Sequence, residues 1–204
     1  MDKREEVAFP EYYPTVKLIV TPLQNVKSSF QPRPTGITIH YTAARSWEGV
    51  VQALKARDLN YHLLIDREGN VIQTAVLNKR VNHAGKASWL GKSPNLSHIA
   101  IALLNWGRLD EEKKTWAGKK LPQNEVAMRK NYYWDRCTNL QEEGLITVLR
   151  WFMAVGIDPD HICGHDECAL PAGRKIDPGG ILSATMPEIR SELNDFKRRI
   201  RKRV

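Results

Sequence analysis

Gly36–Tyr41 reads GITIHY, six residues that are mostly β-branched or apolar. That composition suits a buried strand. Its histidine, His40, falls at the strand's end, where a side chain can emerge at the sheet's edge. Working outward, Trp47, Val50, Val51 and Leu54 follow i, i+3, i+4, i+7 spacing and predict a helix, with Ser46 as N-cap. Tyr61–Ile65 and Val71–Gln73 read as short strands joined by the turn DREGN, and Ile99–Leu104 (IAIALL) as a second buried strand. Thr138 with Gln141 forms a capping box before a helix that ends near Gly156, its apolar stripe being Leu145, Ile146, Leu149 and Phe152. Thr185 with Glu188 forms another before a helix lined by Ile189, Leu193, Phe196 and Ile200.

Strands and helices interleave, so the fold class is α/β: a single domain with a central mixed β-sheet flanked by helices. Residues 1–35 carry Pro10, Pro14, Pro22, Pro32 and Pro34 around a strand candidate at Val16–Val20, and read as an arm wrapped on the domain. Residues 36–184 form the body, and 185–204 a basic amphipathic C-terminal helix. Gly107–Arg136 stands apart as a polar insertion rich in Lys and Glu, with Trp116, Tyr132, Tyr133 and Trp134 scattered through it. It reads as a solvated excursion with one short helix, or else as a flap that touches substrate.

A hydrophobic fraction of 42% and a charged fraction of 26% are those of a soluble globular chain. No apolar run approaches the roughly 18 residues of a membrane span. The start, MDKREEVAFPEYYP, is charged and lacks the apolar core of a secretory signal, so synthesis in the cytoplasm is expected. Three cysteines (Cys137, Cys163 and Cys168) are an odd number and too few for a disulfide scaffold. The net charge of +8 predicts attraction to polyanions, with much of the excess in the tail KRRIRKRV at 197–204.

Gly164–Gly180, GHDECALPAGRKIDPGG, gathers ionisable groups in a segment whose Pro and Gly break helices and strands. His165 opens it and Asp177 lies twelve residues on. Together with His40 these offer two neutral imidazoles and one carboxylate, a three-ligand zinc set with an open fourth position. For a lone histidine, a satisfied core or surface role is the ordinary alternative. Cys163, His165 and Cys168 offer a rival, closed structural site.

Five stretches then occur in order: ITIHYTA (37–43), NYHLLIDREGNVIQ (60–73), NHAG (82–85), SHIAIALLN (97–105) and GHDECALPAGRKIDPG (164–179). Together they resemble the zinc-dependent N-acetylmuramoyl-L-alanine amidase type 2 family, which includes phage lysozyme-amidases, muropeptide-recycling amidases and peptidoglycan recognition proteins. The resemblance runs from about residue 36 to 180. It implies Zn²⁺ held by His40, His165 and Asp177, with Lys175 as the catalytic lysine stabilising an oxyanion. Tyr61 matches the tyrosine that phage members place near the metal. His83, in NHAG, is expected to line the substrate groove, and His62 to have a structural hydrogen-bonding role. Recycling-type members use a glutamate where this sequence has Ala102 or its apolar neighbours, which favours Tyr61 with Lys175.

The activity so implied is hydrolysis of the amide between the lactyl group of N-acetylmuramic acid and L-alanine of the stem peptide. Partners are then peptidoglycan or muropeptides, with electrostatic contact to anionic cell-wall polymers. No specific nucleic acid is expected, and the chain is expected to be a monomer. A phage-type endolysin acting on the wall after release is the first expectation. The alternatives are a cytosolic recycling amidase and a non-catalytic peptidoglycan-binding module.

Overall fold

The computed structural model describes residues 9–19 and 26–201; Val20, Pro22 and the tail's last residues, 202–204, lie outside them. The elements in order are β1 (Val16–Ile19), β2 (Val26–Ser29), β3 (Gly36–Tyr41), α1 (Trp47–Lys55), β4 (Leu63–Ile65), β5 (Val71–Gln73), β6 (Lys79–Val81), α2 (Pro94–Ser97) and β7 (His98–Leu103). There follow β8 (Val126–Arg129), β9 (Tyr132–Asp135), α3 (Asn139–Ala154), β10 (Ile162–Gly164), α4 (His165–Cys168) and α5 (Met186–Arg201).

One mixed six-stranded sheet, ordered β1-β5-β4-β7-β3-β10, organises the domain. The strand GITIHY is β3, parallel to β7 on one side and to β10 on the other. Its alternation sorts side chains between two faces. Ile37 and Ile39 join Leu63, Ile65, Ile99, Ile101 and Leu103 against Leu145, Leu149 and Phe152 of α3 and Ile189 and Leu193 of α5. On the opposite face, Leu64, Ile72, Ala102 and Leu104 meet Val50, Val51 and Leu54 of α1. Each fully buried Ile, Leu or Phe contributes about 1.5–3 kcal/mol over its exposed state. The mixed sheet flanked by helices is the predicted fold class.

Ser46 caps α1 by accepting from the Gly49 amide. Thr138 accepts from the Gln141 amide, but the predicted capping box at α3 is only half made. Gln141 is fully buried, and its side-chain amide donates to the carbonyls of Ile65 (3.0 Å) and Leu104 (3.2 Å), stitching the helix to the ends of β4 and β7. At α5 both halves form: Thr185 N donates to Glu188 at 2.7 Å, and Glu188 N to Thr185 Oγ1 at 3.4 Å. Ile200, the last member of that helix's predicted stripe, is exposed. From the arm, Phe9, Tyr13 and Phe30 enter the larger core and β1 pairs with β5.

The insertion departs from the solvated excursion expected of it. Besides a 3₁₀ turn at Gln123–Glu125, it folds into an antiparallel hairpin, β8 with β9, and buries Leu109, Thr115, Leu121, Trp134 and Asp135. Its anchor is ionic. Asp135, fully buried, accepts from Arg45 Nε (3.1 Å) and Nη2 (2.6 Å), Arg67 Nη1 (3.3 Å) and the Trp106 amide (2.8 Å). Composition hid this hairpin, because its strands, VAMR and YYWD, are only four residues each and sit in a segment otherwise rich in Lys and Glu.

Candidate metal centre

Three strand and loop ends meet where β3 and β10 finish. His40 stands near the end of β3, and His165 follows β10 directly, opening the single turn α4. Because Gly164 pairs with Ile39, the parallel register brings those two histidines side by side. The loop after α4 returns so that the Asp166 amide donates to the Asp177 carbonyl at 2.7 Å, which turns the Asp177 side chain toward both rings. His40 Nδ1 lies 2.9 Å and His165 Nδ1 3.0 Å from the same atom, Asp177 Oδ2. One ligand atom from each residue falls within 4.8 Å of the others, and among the described residues this is the one such group of three.

The tautomers follow from the outer contacts. His165 Nε2 faces the Ala84 carbonyl at 3.0 Å, an acceptor only, so Nε2 carries the proton and Nδ1 presents a lone pair. His83 Nε2 faces the Pro94 carbonyl at 3.3 Å, which leaves its Nδ1 to accept from His40 Nε2–H at 3.0 Å. His40 Nδ1 is then a lone pair as well. Two bare nitrogens and a carboxylate oxygen therefore converge with no proton between them, an arrangement that repels itself unless a cation sits there. Soft-to-borderline nitrogen donors with one oxygen suit zinc. The residues fit the metal.

Charge states agree with that reading. Burial lowers the His40 pKa and outweighs the opposing pull of the Asp177 carboxylate, keeping the ring neutral as a ligand must be. Burial opposes ionisation of Asp177, yet its close contacts with the rings of His165 and then His40 prevail and hold its carboxyl well below the usual range. Tyr61 lies with its ring centroid 5.0 Å from that of His40, and burial, then the charge of Asp177, push its pKa up. It stays a neutral hydroxyl. Lys175 is half-buried in the same loop, near enough for its charge to disfavour protonated His40.

His83 sits deeper than a groove residue would. It is 7% exposed, and its two nitrogens face His40 and Pro94. Neither is left for a substrate, and the ring backs His40 instead. Asn95 is a support that sequence reading missed. Its Oδ1 accepts from the amides of His83 and Ala84 (both 2.9 Å) and its Nδ2 donates to Gly85, so one side chain pins the NHAG loop. Glu167 is another: it accepts from the Gly164 amide at 2.9 Å and takes a two-pronged contact from Arg190 of α5, at 2.7 and 2.8 Å.

The remaining histidines are structural. His62 is fully buried between the Lys79 carbonyl (2.8 Å) and the Ala100 amide (2.9 Å), with burial pushing its pKa down to about 4. His98 bonds Thr38 Oγ1 at 2.9 Å, and His161 faces the Thr35 carbonyl at 3.0 Å. The thiol-based rival finds no support: Cys163 lies beside Thr38 and His98, Cys168 Sγ points to the His165 carbonyl, and both are buried free thiols. Ala102 is the direct register partner of His40 on β7, so no carboxylate reaches the centre from that strand.

Several solved structures share this architecture. An AmpD derivative is 19% identical, with 91% of this chain and 98% of that one covered at a TM-score of 0.60. AmiD from E. coli, solved with anhydro-N-acetylmuramic acid-L-Ala-D-γ-Glu-L-Lys, is 20% identical; 82% of this chain and 60% of that one are covered, at 0.60. The amidase LysC from Clostridium intestinale URNW is 19% identical, with 88% and 99% covered at 0.58. At such identities they establish the fold alone. No curated protein sequence matches the chain. The sequence profile described as N-acetylmuramoyl-L-alanine amidase, however, matches residues 30–180, most of the length, and so this chain belongs to the N-acetylmuramoyl-L-alanine amidase family.

Proposed function

We propose that the chain is a zinc-dependent amidase that cleaves the lactyl–L-alanine amide of peptidoglycan stem peptides, of the L-Ala-D-γ-Glu type bound in the AmiD complex. The observation that carries this reading is the convergence of His40, His165 and Asp177 on one point. When bound there, zinc supplies Lewis acidity and lowers the pKa of a bound water toward about 7. His40 and His165 are the neutral donors and Asp177 the single anion, so the centre keeps a net positive charge that favours an electron-rich carbonyl.

Lys175 presents a fixed ammonium where negative charge grows as the amide carbonyl becomes tetrahedral. Tyr61, protonated at neutral pH because burial raises its pKa, donates a hydrogen bond and does not act as a base. These two are the proton donors beside the centre, and the departing alanine amine takes its proton from one of them. Lys175→Ala should lower kcat by about 10²–10³-fold, the cost of losing one oxyanion donor, while zinc content stays stoichiometric. Near-normal turnover would remove Lys175 from the mechanism.

His83 acts here as a positioning residue behind His40. His83→Ala should weaken zinc binding by about 10–100-fold, measured by chelator competition, with His83→Gln recovering part of the loss. The function itself is tested by incubating soluble muropeptides with the zinc-loaded protein and quantifying new L-alanine N-termini, before and after chelation. Zinc bound without amine release would favour a non-catalytic wall-binding module instead. The basic charge favours an endolysin-type role on the anionic wall. Intact sacculi should then be digested at least as readily as soluble anhydro-muropeptides, and the reverse preference would indicate a recycling enzyme.

A further inference from the structure

Beside the metal centre lies a pocket of about 230 Å³ whose lining includes Arg108, Lys130 and Lys175 from three separate segments, together with Asp166, Tyr132 and Trp134. Lys175 precedes Asp177 by two residues and Asp166 follows His165 directly, so the pocket adjoins the cluster. Its far wall is the insertion. Arg108 stands over the Tyr132 ring at 4.9 Å, which holds its guanidinium in place. Lys130 and Asn131 form the hairpin tip with φ of 49° and 64°, the pair of left-handed residues that a tight two-residue turn requires.

This wall is docked. Trp134 is 3% exposed and its Nε1 donates to the Arg129 carbonyl at 3.0 Å. Its ring lies so close to Gly179 and Gly180 that an added Cβ would come within 2.5 and 2.4 Å of it. Backbone without side chains at those two positions lets the hairpin seat directly on the DPGG loop. Charge is unbalanced: three cations face one carboxylate, and among the described residues none of Arg108, Lys130 and Lys175 is in a salt bridge. Asp166 turns one oxygen back toward Gly164, where it is buried.

We propose that this pocket is an anion subsite, built by the insertion, that recognises the free α-carboxylate of a γ-linked glutamate in the stem peptide. The identity of that carboxylate rests on the amidase reading above. A γ-linkage leaves the α-carboxylate ionised, one residue beyond the L-alanine whose amide is cut. That is the reach of a pocket sharing Lys175 with the centre. Arg108 and Lys130 are specificity residues in this arrangement and take no part in bond cleavage.

The test titrates the zinc-loaded protein with the dipeptide L-Ala-γ-D-Glu and with its α-carboxamide, and measures kcat/KM for the two corresponding muropeptides. The carboxylate forms should bind, and be hydrolysed, about tenfold better or more. In the Arg108→Gln/Lys130→Gln variant that preference should collapse toward unity, with zinc content unchanged. Equal binding of both dipeptides by the wild type, or an undiminished preference in the variant, overturns the subsite. Preferential binding without cleavage of either muropeptide would uphold the subsite and sink the amidase reading, so the two claims fail separately.

Discussion

Asp177→Asn should lose zinc and hydrolytic activity together while the protein remains folded. The carboxylate is the one anion in the cluster, and both imidazole Nδ1 atoms address the same oxygen, at 2.9 and 3.0 Å. An amide of the same shape can still donate to one ring nitrogen, so packing around this buried residue survives. What disappears is the negative ligand. The loss of metal affinity should exceed the about 10–100-fold that removing an outer-shell partner costs. Elemental analysis and thermal melts of the metal-free proteins, wild type beside variant, separate ligand loss from unfolding. A variant that keeps stoichiometric zinc and activity would show that the two histidines and some other group form the centre.

Asp135→Asn should have the largest effect on stability. This carboxylate is wholly buried and accepts from two guanidiniums and the Trp106 amide, and its own backbone joins the hairpin to Gly107 and Asn105. Neutralising it leaves Arg45 and Arg67, both largely covered, facing an uncharged amide, with Glu125 as the remaining anion within reach. Breaking a buried ion pair from one side costs about 3–5 kcal/mol. For a chain of this length each kcal/mol moves the melting temperature by about 2–4 °C, so a fall of about 10 °C is expected in calorimetry. A shift of only about a degree would mean that the insertion is held by its apolar residues, Leu109, Leu121 and Trp134. Because the insertion forms the outer wall of the pocket beside Lys175, the same variant should also lose discrimination between carboxylate and carboxamide muropeptides.

The difference between these two sites marks what can be read from a linear chain. His40, His165, Lys175 and Asp177 lie inside short ordered motifs, and GITIHY and IAIALL declare buried strands by composition alone. Asp135 carries no such mark. Its two arginines are 90 and 68 residues away, and it closes a four-residue strand embedded in a Lys- and Glu-rich segment that reads as loop. His83 was readable as part of NHAG, but its direction was not. Whether an imidazole meets a substrate or the back of a ligand depends on where Pro94 and Asn95 bring the loop.

The layered α/β plan, the starts of the three long helices and the identity of the chemical groups are thus legible in the linear chain, because periodic burial and capping are written within a few residues of one another. It took long-range packing to bring His40 and Asp177, 137 positions apart, to one oxygen–nitrogen contact, and to dock the insertion as a hairpin whose Arg108 and Lys130 line a pocket beside the centre. Those outcomes depend on strand register and on packing between distant segments. Local residue preferences do not specify such long-range distances, whereas the chemistry of ligands and anion sites depends on fractions of an ångström.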